Sequence, residues 1–227
     1  LALARASSGG SERRFDQVSF VTVHNAYARE DAPPDARGFD DYVAKVYDLG
    51  MRGLELDFAE HDRHWEWSVG HSDAYSSEMP RQLGVYLRAL WAWSIKHEPH
   101  DPMVVYLEPK SAFAAGFPAA FDEYVSANFD ASRIWRPADL RGTAAHLADA
   151  ARAGAWPTVA ALRNRFLFVI SGDGEAAKAV ALRAESLCFG DRPLADTPGR
   201  IADTGDPDRL VLNLPSPLMP GIPLAGA

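Results

Sequence analysis

His24, Asn25, Glu55, Asp57, His71, Glu108 and Lys110 have the types and placing to do chemistry in this 227-residue chain. Each stands in or just after an apolar run. Val18-Ser-Phe-Val-Thr-Val23 stops at His24-Asn25, and Met51-Arg-Gly-Leu-Glu-Leu-Asp-Phe58 carries Glu55 and Asp57. Trp65-Glu-Trp-Ser-Val-Gly-His71 ends in a histidine, and Met103–Leu107 runs into Glu108-Pro-Lys110. Spaced i, i+2 on a strand, Glu55 and Asp57 share a face. Burying them is costly unless they pair or bind a cation. Three carboxylates and the Asn25 amide oxygen at one mouth make a hard, oxygen-only site. Such a site suits Ca²⁺ or Mg²⁺, whereas Zn²⁺ calls for His or Cys. Two histidines from opposite walls can serve as general base and general acid. A metal on a phosphoryl oxygen beside a proton-moving His pair suits a phosphodiester. The same residues also allow a structural reading, with Glu55 and Asp57 ion-paired to Arg52 or Lys110 and Glu-Pro-Lys only a strand leaving its sheet.

The elements that must position these residues follow from periodicity. Strands are predicted over Val18–Val23, Met51–Phe58, Trp65–His71, Met103–Leu107 and Arg165–Ile170, the last apolar enough to be buried on both faces. Weaker strand patterns cover Ser186–Phe189 and Leu210–Leu214. Phe39, Tyr42, Val43, Val46 and Tyr47 mark an amphipathic helix closed by Gly50. Further helices are predicted from Leu83 to Ser94, Pro118 to Asn128, Thr143 to Ala153 and Glu175 to Ala184, with a short one starting at Trp156-Pro157. Strands alternating with helices imply parallel pairing through helical crossovers, hence an α/β fold. The expectation is a single (β/α) barrel domain over residues 15–227, behind a disordered N-terminal arm over 1–14. A doubly wound open sheet is the alternative, but no Gly-rich phosphate loop follows the first strand. In a barrel the active site lies at the C-terminal ends of the strands, where the seven polar residues fall.

Composition narrows the partners. With 23 Lys+Arg against 31 Asp+Glu the net charge is −8, and no basic run offers the footprint that nucleic acid requires. The same acidity disfavours firm attachment to anionic membranes, leaving transient contact. No apolar run approaches the ~18 residues of a membrane span, so a soluble protein is expected. Cys188 is the only cysteine, which excludes an internal disulfide; within Ser-Leu-Cys-Phe it reads as a small buried hydrophobe. Leu1-Ala-Leu-Ala has the look of a signal-peptide tail, pointing to a secreted or periplasmic protein. His61, His64, His97 and His100 read as solvated loop residues, and Trp65, Trp67, Trp91 and Trp93 as barrel packing. Ser171-Gly-Asp-Gly174 reads as a turn.

Four segments taken together resemble the X region of phosphatidylinositol-specific phospholipase C, and most closely its bacterial calcium-dependent branch. They are Thr22-Val-His24-Asn25-x-Tyr27, Gly50-x-Arg-Gly-Leu-Glu55-Leu-Asp57, Val69-Gly-His71 and Leu107-Glu108-x-Lys110. The likeness continues through Trp156-Pro-Thr-Val-x-x-Leu-Arg-x-Arg-Phe-Leu-Phe168 and so covers about Val18–Ile170. It implies a distorted or incomplete (β/α)₈ TIM barrel that binds one Ca²⁺ through Asn25, Glu55, Asp57 and Glu108. It also implies attack of the inositol 2-hydroxyl on the phosphodiester, giving diacylglycerol and a cyclic inositol phosphate. In that scheme His24 stabilises the pentavalent phosphorane, His71 is the general acid for the leaving alkoxide, and Asp57 or Glu108 is the base. Eukaryotic members carry lysines near the strand after Leu-Arg-x-Arg, where this chain has Val169-Ile-Ser-Gly. Unphosphorylated phosphatidylinositol or another diester is therefore expected, with Lys110 as the phosphate contact. Glycerophosphodiester phosphodiesterase and sphingomyelinase D share the barrel, a first-strand His and Glu-x-Asp. A glycosidase using Asp57 and Glu108, or a non-catalytic ligand-binding barrel, are the readings from other classes.

Overall fold

A computed structural model describes residues 12–28, 38–61, 66–70, 82–111, 116–171, 175–191 and 207–210. Its spine is a parallel ladder of β1 (Thr22–Val23), β2 (Gly53–His61), β4 (Met103–Pro109), β5 (Phe166–Ile170), β6 (Cys188–Asp191) and β7 (Arg209–Leu210). β3 (Glu66–Val69) sits beside β2. Helices α1 (Phe39–Asp48), α2 (Leu83–Lys96), α3 (Phe117–Asn128) and α6 (Glu175–Ala181) cross between strands. Between β4 and β5 the chain also forms α4 (Pro137–Arg141) and α5 (Leu147–Arg152). Among the described residues β1 and β7 do not pair, so the sheet stays open: an incomplete (β/α)₈ barrel.

Strand alternation sorts the core into two sides. Leu54, Leu56, Phe58, Val105, Leu107, Phe168 and Ile170 join the apolar faces of α1, α2, α3 and α6 in one buried cluster. The alternate positions Val104, Tyr106, Leu167, Val169 and Phe189 cluster with Phe15, Trp135, Leu140, Leu147 and Trp156. Register places Glu55 opposite Tyr106 and Asp57 opposite Glu108. The acids therefore share the second side, with Glu108 near the C-terminal end of β4 but Glu55 and Asp57 within β2, which runs on to His61 along β3.

Local chemistry accounts for the edges of these elements. α1 closes as its apolar periodicity predicts, with Gly50 at φ 93° donating to the Tyr47 carbonyl at 2.9 Å. At Gly53 a Cβ would run into Thr22 Oγ1, so glycine is what lets β1 lie against β2. β1 is shorter than Val18–Val23 because only Thr22 and Val23 pair along β2, while Val21 is exposed.

Several expectations are corrected. β3 runs antiparallel to β2, since four intervening residues suffice for a hairpin-like return but not for a helical crossover. No helix starts at Trp156-Pro157; residues 159–164 form turns, with the Pro157 carbonyl and Val159 N–H bonded to Phe15 and Arg13. The Ala-rich helix contracts to α5, and α4 lies ahead of it, ended at Gly142 with φ 54°. β6 begins two residues later than expected, and residues from 211 onward lie outside the described residues. So do residues 1–11 of the expected arm, whereas Arg14 bridges to Thr158.

His100 is buried in the core, not solvated: its Nε2 meets Ser94 Oγ at 2.7 Å and its Nδ1 the Asp101 carbonyl at 2.7 Å. Trp67, Trp93 and Cys188 are buried as expected, while Trp91 is exposed on α2. His64, Trp65 and Gly172–Gly174 lie outside the described residues. Among the described residues no helix is long and apolar enough to cross a membrane.

Candidate active site

The site is built outward from β2. Glu55 and Asp57 are buried, at 6% and 1% exposure, and Glu108 on β4 is half-buried. Oxygens of all three carboxylates lie within 4.8 Å of one another. The β1 end reaches them through Asn25, whose φ of 50° lies in the left-handed region that Asn tolerates. This turn aims the Asn25 backbone N–H at Glu55 Oε2, 3.1 Å away, while Ala26 N–H donates to the Glu55 carbonyl at 2.9 Å. His24 Nε2 lies 3.3 Å from Glu55 Oε2 with its ring 73% exposed, on the rim of the cluster.

On the far side, the Tyr27 hydroxyl donates to Asp57 Oδ2 at 2.6 Å. Lys110 Nζ donates to Glu108 Oε1 at 2.6 Å and stands 3.2 Å from Asp57 Oδ1. The Lys110 backbone is held by an N–H bond to the Phe58 carbonyl at 2.8 Å. Gly70 N–H donates to the Asp57 carbonyl at 3.0 Å. His71 follows it in sequence and lies outside the described residues.

Six of the seven residues singled out in the sequence thus meet around one mouth. Of the two partners considered for Glu55-x-Asp57, Lys110 is the one present. Arg52 instead pairs with Asp101 at 3.0 Å and lies over the Tyr47 ring. Tyr27 stood inside a quoted motif but was given no role. Its signal was the two-residue offset from Asn25, which tertiary contact turns into a bond with Asp57. Tyr106 was missed as well, although it stands two residues before Glu108 and so on the same strand face.

Charge explains what this cluster can hold. Burial pushes the Glu55 carboxyl above its usual range; the Asn25 N–H and His24 oppose this and Glu108 adds to it. Burial also works against the Lys110 ammonium, but bonding to Glu108 and attraction to Asp57 outweigh it and the pKa rises. Lys110 is therefore charged, and three acids face one ammonium. Burial, with Asp191 and Glu55 nearby, keeps the Tyr106 phenol protonated. Oxygen donors in excess of positive charge, at this spacing, fit a hard divalent cation such as Ca²⁺.

The profile of the family described as phosphoinositide phospholipase C, Ca²⁺-dependent, matches residues 71–190. The chain belongs to this family. The match takes in Glu108 and Lys110 and begins after Asp57. A Ca²⁺-dependent phosphatidylinositol-specific phospholipase C from Streptomyces antibioticus is 26% identical, over 71% of this chain and 59% of that one, with a TM-score of 0.55. A calcium-dependent phosphoinositol-specific phospholipase C from a Pseudomonas species is similar in fold. Its myo-inositol complex is 22% identical, over 81% of this chain and 68% of that one, with a TM-score of 0.65. No curated protein matches the chain.

Proposed function

We propose that this chain is a calcium-dependent phosphodiesterase that cleaves phosphatidylinositol-type diesters to diacylglycerol and a cyclic inositol phosphate. The observation that carries the proposal is the Glu55, Asp57 and Glu108 cluster on one face of β2 and β4, with exposed His24 on its rim. Family membership and the calcium-dependent Streptomyces relative support it.

Asn25, Glu55, Asp57 and Glu108 are the ligands of the reading. When bound, Ca²⁺ would lower the pKa of the attacking 2-hydroxyl and offset charge on the phosphoryl oxygens. Asp57 or Glu108 takes the 2-hydroxyl proton as its oxygen bonds to phosphorus. His24, oriented by Glu55, donates to the phosphorane oxygen. His71 protonates the diacylglycerol alkoxide as the phosphorus–oxygen bond to it breaks. Lys110 contributes a charged contact to the phosphate.

The substrate assignment stops at the unphosphorylated ring. Val169 and Ile170 are fully buried and apolar, and Ser171 follows them where a lysine would be needed to read ring phosphates. A secreted or periplasmic setting belongs to the same reading.

The test is phosphatidylinositol turnover, with the products followed by ³¹P NMR. EGTA should abolish the appearance of cyclic inositol phosphate, and added Ca²⁺ should restore it. Turnover indifferent to EGTA would remove the metal assignment. Glycerol phosphate or ceramide phosphate as product would move the chain to the related barrel diesterases. Cation binding without turnover over a broad lipid panel would make it a binding protein.

A further inference from the structure

Lys110 holds oxygens of two of the three acids that a cation would need. Its Nζ sits 2.6 Å from Glu108 Oε1 and 3.2 Å from Asp57 Oδ1, and its side chain is only 17% exposed. Those oxygens belong to two of the three acids clustered within 4.8 Å. A Ca²⁺ ion draws six to eight oxygens to about 2.3–2.6 Å. A cation held by Asp57 and Glu108 would face an ammonium still bonded to them, in a half-buried site where repulsion is poorly screened.

We infer that Lys110 and the divalent cation exchange places. Cation entry expels the Lys110 ammonium from Asp57 and Glu108 and frees it to meet the substrate phosphate. This rests on the proposed calcium-dependent reading and adds an order to it: cation first, diester second. The motion required is small. The Lys110 backbone stays pinned by its N–H bond to the Phe58 carbonyl at 2.8 Å, so only the four-carbon stem has to swing. The device also spares the protein an uncompensated buried Asp57 beside half-buried Glu108 before the cation arrives, because the ammonium balances them until then.

Amine labelling of the full chain, with and without CaCl₂, tests the exchange. The sequence has four lysines, and Lys45, Lys96 and Lys178 are exposed on helices, so they serve as internal references in a peptide map. Without Ca²⁺, Lys110 should label roughly tenfold more slowly than these three, and saturating Ca²⁺ should remove most of that protection. Calorimetry on the same samples reports cation binding independently. Heat of binding with Lys110 still protected overturns the exchange alone. No heat of binding overturns the cation reading and the exchange with it. As a second measure, Lys110→Met should bind Ca²⁺ about tenfold more tightly than the wild type, because the competing charge is gone. Equal or weaker binding by a folded Lys110→Met overturns the exchange.

Discussion

The contacts of Glu55 and Asp57 set what each neighbouring side chain is worth. His24 is largely exposed and touches the cluster only through Glu55 Oε2, so removing it should leave the fold intact while disabling chemistry. His24→Ala is expected to lower kcat by about 10²–10⁴-fold with an unchanged melting temperature, as for other acid–base groups. A near-wild-type rate by the phosphatidylinositol assay would take His24 out of the mechanism. Tyr27 has the opposite profile. Its hydroxyl bonds a carboxylate that is 1% exposed, so Tyr27→Phe removes a charge-assisted bond without changing shape. It should cost about 1–3 kcal/mol in urea unfolding. It should also raise the half-activating Ca²⁺ concentration, because Asp57 Oδ2 is no longer held. An unchanged Ca²⁺ response would reduce Tyr27 to packing alone.

At the scale of elements, the ends of β4 divide function from stability. Its C-terminal end bears Glu108, while the segment entering its N-terminal end is clamped by His100. Burial, reinforced by Arg133, lowers the His100 pKa below 6.5, against the opposing pull of the Asp101 carbonyl, Glu98 and Asp101. Ser94 on α2 bonds both His100 Nε2 and Arg133, closing the cage. The folded protein therefore keeps His100 neutral where the unfolded chain has begun to protonate it. Below pH 6.5 the unfolded state binds more protons, so stability falls as pH drops from 6.5 through the lowered pKa and is level above that range. Urea unfolding between about pH 7.5 and 5.5 should show this slope, and His100→Gln should flatten it. The sequence hid this role, since His97-Glu-Pro-His100-Asp reads as a polar loop and its burial comes from Trp93 and Phe166 packing on the ring. Most strands and long helices were legible from apolar period alone. The errors fell where a non-local partner decided: β3 turned antiparallel, and the segment after Pro157 was claimed by Arg13 and Phe15.

For the whole molecule, the net charge is −8, and among the described residues β1 and β7 do not pair. Acidity that first served to exclude polyanions is partly concentrated at one mouth, as Glu55, Asp57 and Glu108. The sequence by itself determined which chemically capable residue types stand on shared strand faces. Strand alternation puts Glu55 with Asp57, and Tyr106 with Glu108, on shared faces, and β-branched runs ending in His or acid mark the strand mouths. Only the tertiary structure decided which charges meet. Lys110, not Arg52, became the counter-ion of Asp57, Tyr27 became its hydrogen-bond donor, and Asn25 turned a backbone N–H onto Glu55. The physical reason is range. Period and propensity act over a few residues, whereas Asp57 meets Tyr27 across thirty residues and Lys110 across a strand crossing. Those distances are closed only when the sheet register is set.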